Sequence, residues 1–289
     1  MHGCHIRPVL QDDRPLVRSL FEQVFGPWPG DAFWGWKYSG GQQGQAHAWL
    51  LFDPQTLEPL AQLGARTGIG RTPWGMSTVA QVMDVMVHPK ARGQRLFETL
   101  LEAALRRLYE QDRNLFVFGF AGIRPFRLGA RQGFYRGIRA HHAAQPRGAS
   151  PELQTLTRGH LAHIAAVHSQ PETFLGFLQT PGYLEWRYLA HPTRTYLWLP
   201  ELGGAVGHEQ ARGSVVTAWS DGAVWSVASS LHQPDPRVWH WRSEPLVDKG
   251  YGAMHSEPMM VSGQITLPQL SSADHLTRFS FEPGQSDVF

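Results

Sequence analysis

Four residues, Arg92, Gly93, Gln94 and Arg95, stand where an apolar run gives way to a helical stripe in VMDVMVHPKARGQRLFETLLEAAL. A helix N-terminus leaves backbone N–H groups without partners and carries the positive end of the helix dipole, so phosphate binds there readily. The amides from Arg92 through Gln94, Arg95 and Leu96 to Phe97 would face such an anion, and guanidinium groups suit its geometry. The preceding run holds a single carboxylate, Asp84. A lone acid there can move a proton in a reaction, or it can simply pair with a neighbouring Arg or cap a turn.

The elements that must position these groups follow from periodicity. STVAQVMDVMVH is nearly continuously apolar, as in a strand covered on both faces. After the basic turn, Leu96, Leu100, Leu101, Ala104, Leu105 and Leu108 repeat along one side of a helix. LFVFGF is a buried strand. RPFRLGARQGF is a short helix that Pro125 starts and Gly133 ends, and the segment after it can return to the sheet. Upstream, Asp12 or Asp13 can cap a helix over DDRPLVRSLFEQVFG, with Pro15 in its first turn and Gly26 at its end. GPWPGDAFWGWKYSGG reads as a loop. AHAWLLF and EPLAQLGAR read as strands joined by the turn DPQT, and RTPWG as a further turn. This order predicts a mixed α/β domain over residues 1–145.

HAAQPRGASPE reads as a linker. Residues 151 to 170 are helical in pattern, and VWHW alternates as a strand does. Two short stretches recur across the chain: Trp36-Lys37-Tyr38 matches Trp186-Arg187-Tyr188, and DKGYG echoes ARQGFYRG. The second half, residues 146–289, therefore reads as a shortened copy of the first, lacking the strand-to-helix turn and its long helix. Recurrence of Trp36 and Trp186 argues for packing. Phe33, Trp34, Tyr38 and Trp74 offer stacking faces for an acceptor molecule. Arg124, Arg127 and Arg131 form either a basic edge near a phosphate or a solvated helix face.

Composition narrows the class. The chain has 289 residues, 42% hydrophobic and 17% charged, within the ordinary globular range, with a net charge of +2. That balance disfavours nucleic acid as a partner, and no aromatic-basic RNA motif is present. One cysteine, Cys4, cannot form an internal disulfide, and the start has no apolar secretory core. No apolar run reaches the ~20 residues of a membrane span. A cytoplasmic protein without membrane contact is the expectation. Fifteen histidines include the spaced His160, His163 and His168, but no HExxH pattern, and no metal is expected. The turn is neither a P-loop nor GxGxxG.

The stretch from Val82 to Leu105 resembles the acyl-coenzyme A motif of the GNAT N-acetyltransferase superfamily: a strand, a Pro, then R-G-x-G-x-G/A opening a helix. Residues 5 to 137 follow the GNAT order of elements, and WRYLAHP with FEPGQSDVF resembles a tandem subgroup having a degenerate second half. The resemblance implies two splayed central strands with the pantetheine arm beside Met86 and Val87. The pyrophosphate would lie on the turn amides of Arg92 to Phe97, and acetyl-CoA or another acyl-CoA is the co-substrate. The amine of a small molecule would attack the thioester directly, with Asp84 as base or amine orienter. The alternative is a non-catalytic acyl-CoA sensor. Three departures stand out. Arg95 and Phe97 replace small residues, so Arg95 either pairs with phosphate or blocks the cradle. Gly129 occupies the place where many relatives have a general-acid Tyr, with Tyr135 just beyond. A related subgroup uses its C-terminal carboxylate as base, and this chain too ends in Phe, Phe289.

Overall fold

The computed structural model describes residues 5–38, 44–146, 154–168, 174–199, 205–210, 213–220, 223–228, 237–240, 251–253, 260–268 and 280–281. Helix α1 is Arg14–Phe25, after strand β1 (His5–Pro8). Pro15 lies in its first turn, and Gly26 ends it at φ 99°. Asp13 does not cap the helix with its side chain; its carboxylate instead pairs with Arg7 at 2.5 Å and accepts the Leu10 N–H. The segment read as a loop contains a second helix, α2 (Asp31–Tyr38). Aromatic side chains within it provide the contacts that override its weak local propensity.

Strands β2 (Ala46–Phe52), β3 (Pro59–Thr72) and β4 (Gly75–Val87) form an antiparallel meander. A short 3-10 turn, Pro89–Ala91, leads to helix α3 (Leu96–Gln111), and then come β5 (Phe116–Ala121), helix α4 (Ile123–Arg131) and β6 (Tyr135–Pro146). The second half adds β7 (Gln154–Thr155), α5 (Arg158–His168), β8 (Phe174–Phe177) and α6 (Pro181–Leu184), whose chain continues as one π-helical turn, Glu185–Leu189. Strands β9 (Tyr196–Leu199), β10 (Ala205–Gln210), β11 (Gly213–Ser220), β12 (Ala223–Ala228), β13 (Arg237–His240), β14 (Tyr251–Ala253), β15 (Met260–Ile265) and β16 (Ser280–Phe281) follow.

The main sheet path runs β1-β2-β3-β4-β5-β15-β6-β13-β12-β11-β10-β9-β7. Only β4 and β5 pair in parallel within the N-terminal part, and everything beside them is antiparallel. This is a mixed α/β sheet. Strand β6 joins the two parts: its first residues pair with β15, and its last pair with β13 and β14. The stretch His142–Pro146, read as linker, is therefore strand, and position 145 lies inside it. Of the rest of that stretch, 147–152 lies outside the described residues, as does the Lys249 region of DKGYG; Tyr251 opens β14 much as Tyr135 opens β6.

Side chains alternate across the sheet, as strand geometry requires. Leu51, Ala61, Leu63, Val82 and Val117 pack under α3 with Leu100, Leu101 and Leu105. On the other face Leu50, Phe52 and Met86 meet Val17 and Leu20 of α1, while Phe116 and Phe118 meet Leu161, Ile164 and Leu184 of the second half. Each fully buried side chain of this size contributes about 1.5–3 kcal/mol.

Candidate acyl-CoA and acceptor site

The basic turn is built as the sequence suggests. His88 accepts the Lys90 N–H at 3.1 Å through Nδ1, which closes the 3-10 turn. Gly93 then adopts φ 84° and Arg95 φ 60°, so two left-handed residues swing the chain into α3. Arg92, Gly93, Gln94 and Arg95 are exposed, whereas Leu96 and Phe97 are buried in the α3 core. The bulk of Phe97 thus points away from the turn. The Thr99 N–H donates to the Arg95 carbonyl at 3.1 Å, which leaves the amides of Leu96, Phe97 and Glu98 outside the helical ladder. The Arg95 guanidinium reaches toward Gln132 Oε1 (3.5 Å) and lies 4.0 Å from Glu98. It lies over the α3–α4 side of the turn.

Beside the turn, two strands part. The β4–β5 ladder joins Val79–Val82 to Phe116–Gly119 and stops there, although β4 continues to Val87 and β5 to Ala121. The edge of Met86 and Val87 that faces β5 has no strand neighbour among the described residues, while their other edge pairs with Gln62 and Ala61. A register shift between Gln62 and Gly64 marks a bulge in the β3–β4 pairing. Asp84 sits in it at φ 45°. Bulges bend a strand and re-aim its side chains, so the same feature parts the strands and turns Asp84.

Asp84 is not isolated. Lys37 Nζ donates to its Oδ1 at 2.6 Å and the Tyr38 hydroxyl to its Oδ2 at 2.6 Å. The Lys37 and Asp84 side chains are 6% and 9% exposed. Gly64 makes room for this cluster, since a Cβ there would collide with the Tyr38 hydroxyl. Trp34 stacks on Tyr38 at 3.9 Å, and Phe33 packs on Trp36 and His191. The structure therefore brings Phe33, Trp34, Tyr38 and Asp84 into one neighbourhood. Trp74 stands apart, in the β3–β4 turn against Phe116 at 5.8 Å. The span of β4 from Gly75 to Asp84 separates it from the bulge by about 30 Å at ~3.3 Å per residue.

Sequence reading missed Lys37, Arg66 and Gln62. Arg66 is buried, donates to the Lys37 carbonyl, and holds its guanidinium 4.5 Å above the Trp186 ring. The recurrent triplets meet face to face: the Trp36 and Trp186 rings stack at 4.8 Å and 16°, and Trp36 Nε1 donates to the Trp186 carbonyl at 3.0 Å. Gly129 has its own reason. A Cβ there would run into the Tyr135 ring, and burial lifts the Tyr135 phenol to about 12. Arg124, Arg127 and Arg131 lie on α4, where Arg124 and Arg131 make no ion pair among the described residues. No group of three or more His, Cys, Asp or Glu that could hold a metal gathers among the described residues, and no helix there is long and apolar enough to cross a membrane.

Meander, parted parallel pair and basic turn together make a mixed α/β fold, the fold expected from the GNAT resemblance. Two solved structures carry the likeness. A conserved protein of unknown function from Enterococcus faecalis, described as a probable N-acyltransferase, superposes with TM-score 0.53 at 10% identity, over 92% of this chain and 73% of its own. A candidate acetyltransferase from Pyrococcus horikoshii does so with TM-score 0.53 at 12% identity, over 96% of this chain and 95% of its own. The chain matches no protein-family profile and no curated protein.

Proposed function

We propose that the protein is an acyl-CoA-dependent N-acyltransferase with one site, in the N-terminal half, acting in the cytoplasm on an amine of a small molecule. The observation that carries this is the end of the β4–β5 ladder at Val82 and Gly119, beside a turn whose amides point free of the α3 ladder. Pantetheine would lie along Met86 and Val87, and the pyrophosphate on the amides from Arg92 to Phe97. No metal takes part. Phe33, Trp34 and Tyr38 would line the acceptor side, with Trp74 contributing only if the acceptor reaches along β4.

In the reaction, the amine nitrogen attacks the thioester carbonyl, the oxyanion collapses, and the C–S bond breaks to release coenzyme A. The amine proton must leave. Asp84 is the proton-handling group in this reading, acting with the Tyr38 hydroxyl while Lys37 holds its other oxygen. Residues 146–289 are read as a degenerate GNAT-like second domain. The stacked Trp36–Trp186 pair and the matching place of the two triplets, each at the end of a helical segment ahead of antiparallel strands, support that reading.

A second reading, a non-catalytic acyl-CoA sensor, draws on the same ion pair. A carboxylate already neutralised by a buried lysine is a weak base. Incubation with acetyl-CoA and a panel of amines, following free thiol, decides between them. Turnover that falls at least a hundredfold in Asp84→Ala supports the enzyme. Coenzyme A binding with no turnover on any amine supports the sensor, and no binding heat with coenzyme A or a thioester of it sinks both.

A further inference from the structure

On the α2 face of β3, Gln62, Gly64 and Arg66 follow one another at alternate positions. Arg66 is 3% exposed and no ion pair of the described residues includes it. One arm, Nη2, donates to the Lys37 carbonyl, while Nη1 meets no hydrogen-bond acceptor among the described residues. Gln62 is 0% exposed, and neither its Oε1 nor its Nε2 has a partner among the described residues. Between them lies the notch at Gly64 that admits the Tyr38 hydroxyl on its way to Asp84. A buried guanidinium without a counter-charge is costly, and so is an orphaned buried amide. Burial accordingly lowers the pKa of the Arg66 guanidinium, with Tyr183 and Tyr38 opposing. Each such group calls for a partner, a water or a bound ligand.

We infer that the acceptor carries a carboxylate as well as its amine, and that Arg66 receives that carboxylate while the amine lies at Asp84. This rests on the acyltransfer reading of the site and adds the class of acceptor. Arg66 stands two residues along β3 from Gly64, about 7 Å at ~3.3 Å per residue. The planar fork of arginine suits a carboxylate. Trp186 roofs the guanidinium, so entry of the carboxylate displaces that ring from its stack on Trp36.

The test uses the full chain with acetyl-CoA and two matched series: glycine, β-alanine, 4-aminobutyrate and 6-aminohexanoate against n-alkylamines of the same length. Expected is a kcat/KM at least tenfold higher for one amino carboxylate than for its alkylamine, with that preference lost in Arg66→Gln and coenzyme A affinity unchanged. Thermal stabilisation of the wild type by 6-aminohexanoate alone, absent in Arg66→Gln and partly kept in Arg66→Lys, reads the subsite without turnover. Equal rates on the two series, a preference that survives Arg66→Gln, or no stabilisation by any amino carboxylate overturns the inference. Failure of coenzyme A to bind would instead strike the acyltransferase reading, and the thermal measurement still decides whether the carboxylate subsite exists.

Discussion

Lys37 Nζ and Asp84 Oδ1 lie 2.6 Å apart, both nearly closed to solvent, and they join the last turn of α2 to the bulge of β4. Two charges taken from water need one another, so removing either partner costs more than removing both. Lys37→Met and Asp84→Asn should each destabilise the protein by about 3–5 kcal/mol, and the double variant by clearly less than their sum. Urea unfolding of the four proteins measures this. An additive result would show that the pair contributes no coupling.

Arg95 occupies a left-handed conformation that costs a residue with a Cβ about 1–2 kcal/mol. Arg95→Gly should therefore raise stability by about 1 kcal/mol, seen as a higher melting temperature. The guanidinium lies toward Gln132 and Glu98, not across the turn, so coenzyme A should bind the variant as tightly or more tightly in calorimetry. Weaker binding would mean that the arginine itself grips phosphate.

Gly129 and Tyr135 share one volume. Gly129→Ala forces the ring aside and should cost about 1–3 kcal/mol, the usual penalty for overpacking. Adding Tyr135→Ala should not add its own full cost, because the collision is then gone. A double-mutant cycle in urea gives the coupling directly.

The same tyrosine predicts a response to alkali. Its phenol is raised from 10.0 to about 12 by burial, so the folded state favours the neutral form. The stabilisation is intact below pH 10, declines on the order of 1 kcal/mol per pH unit between the two values, and is gone above them. Unfolding measured from pH 8 to pH 11.5 should show that extra downward slope in the wild type and not in Tyr135→Phe.

How far the sequence foretold this arrangement depends on the range of each interaction. The strand, basic turn and α3 were legible because apolar periodicity and an N-terminal basic turn are local signals. Helix α2 was not, since Gly35 and its crowded aromatics lower local helix propensity and only packing against Trp186 and Tyr38's neighbours restores it. Asp84 was visible as a lone acid, yet its partner Lys37 lies 47 residues earlier. Repetition of Trp36 and Trp186 implied packing but not that the two rings would meet. Nothing local marks Gln62 or Arg66, polar residues whose burial is set by packing against segments distant in sequence.

Strand β15 has a consequence for how the molecule is made. Residues 260–265 lie between β5 and β6 and supply Ile265 to the core beneath α3. A nascent chain that has delivered everything through β6 still carries two strand edges with nothing between them, and the missing piece is synthesised after more than a hundred further residues. At ~5–20 residues per second that wait lasts on the order of ten seconds. The N-terminal half spends that interval with its β5 and β6 edges unpaired, so the sheet beside the β4–β5 slot is completed only once β15 has emerged.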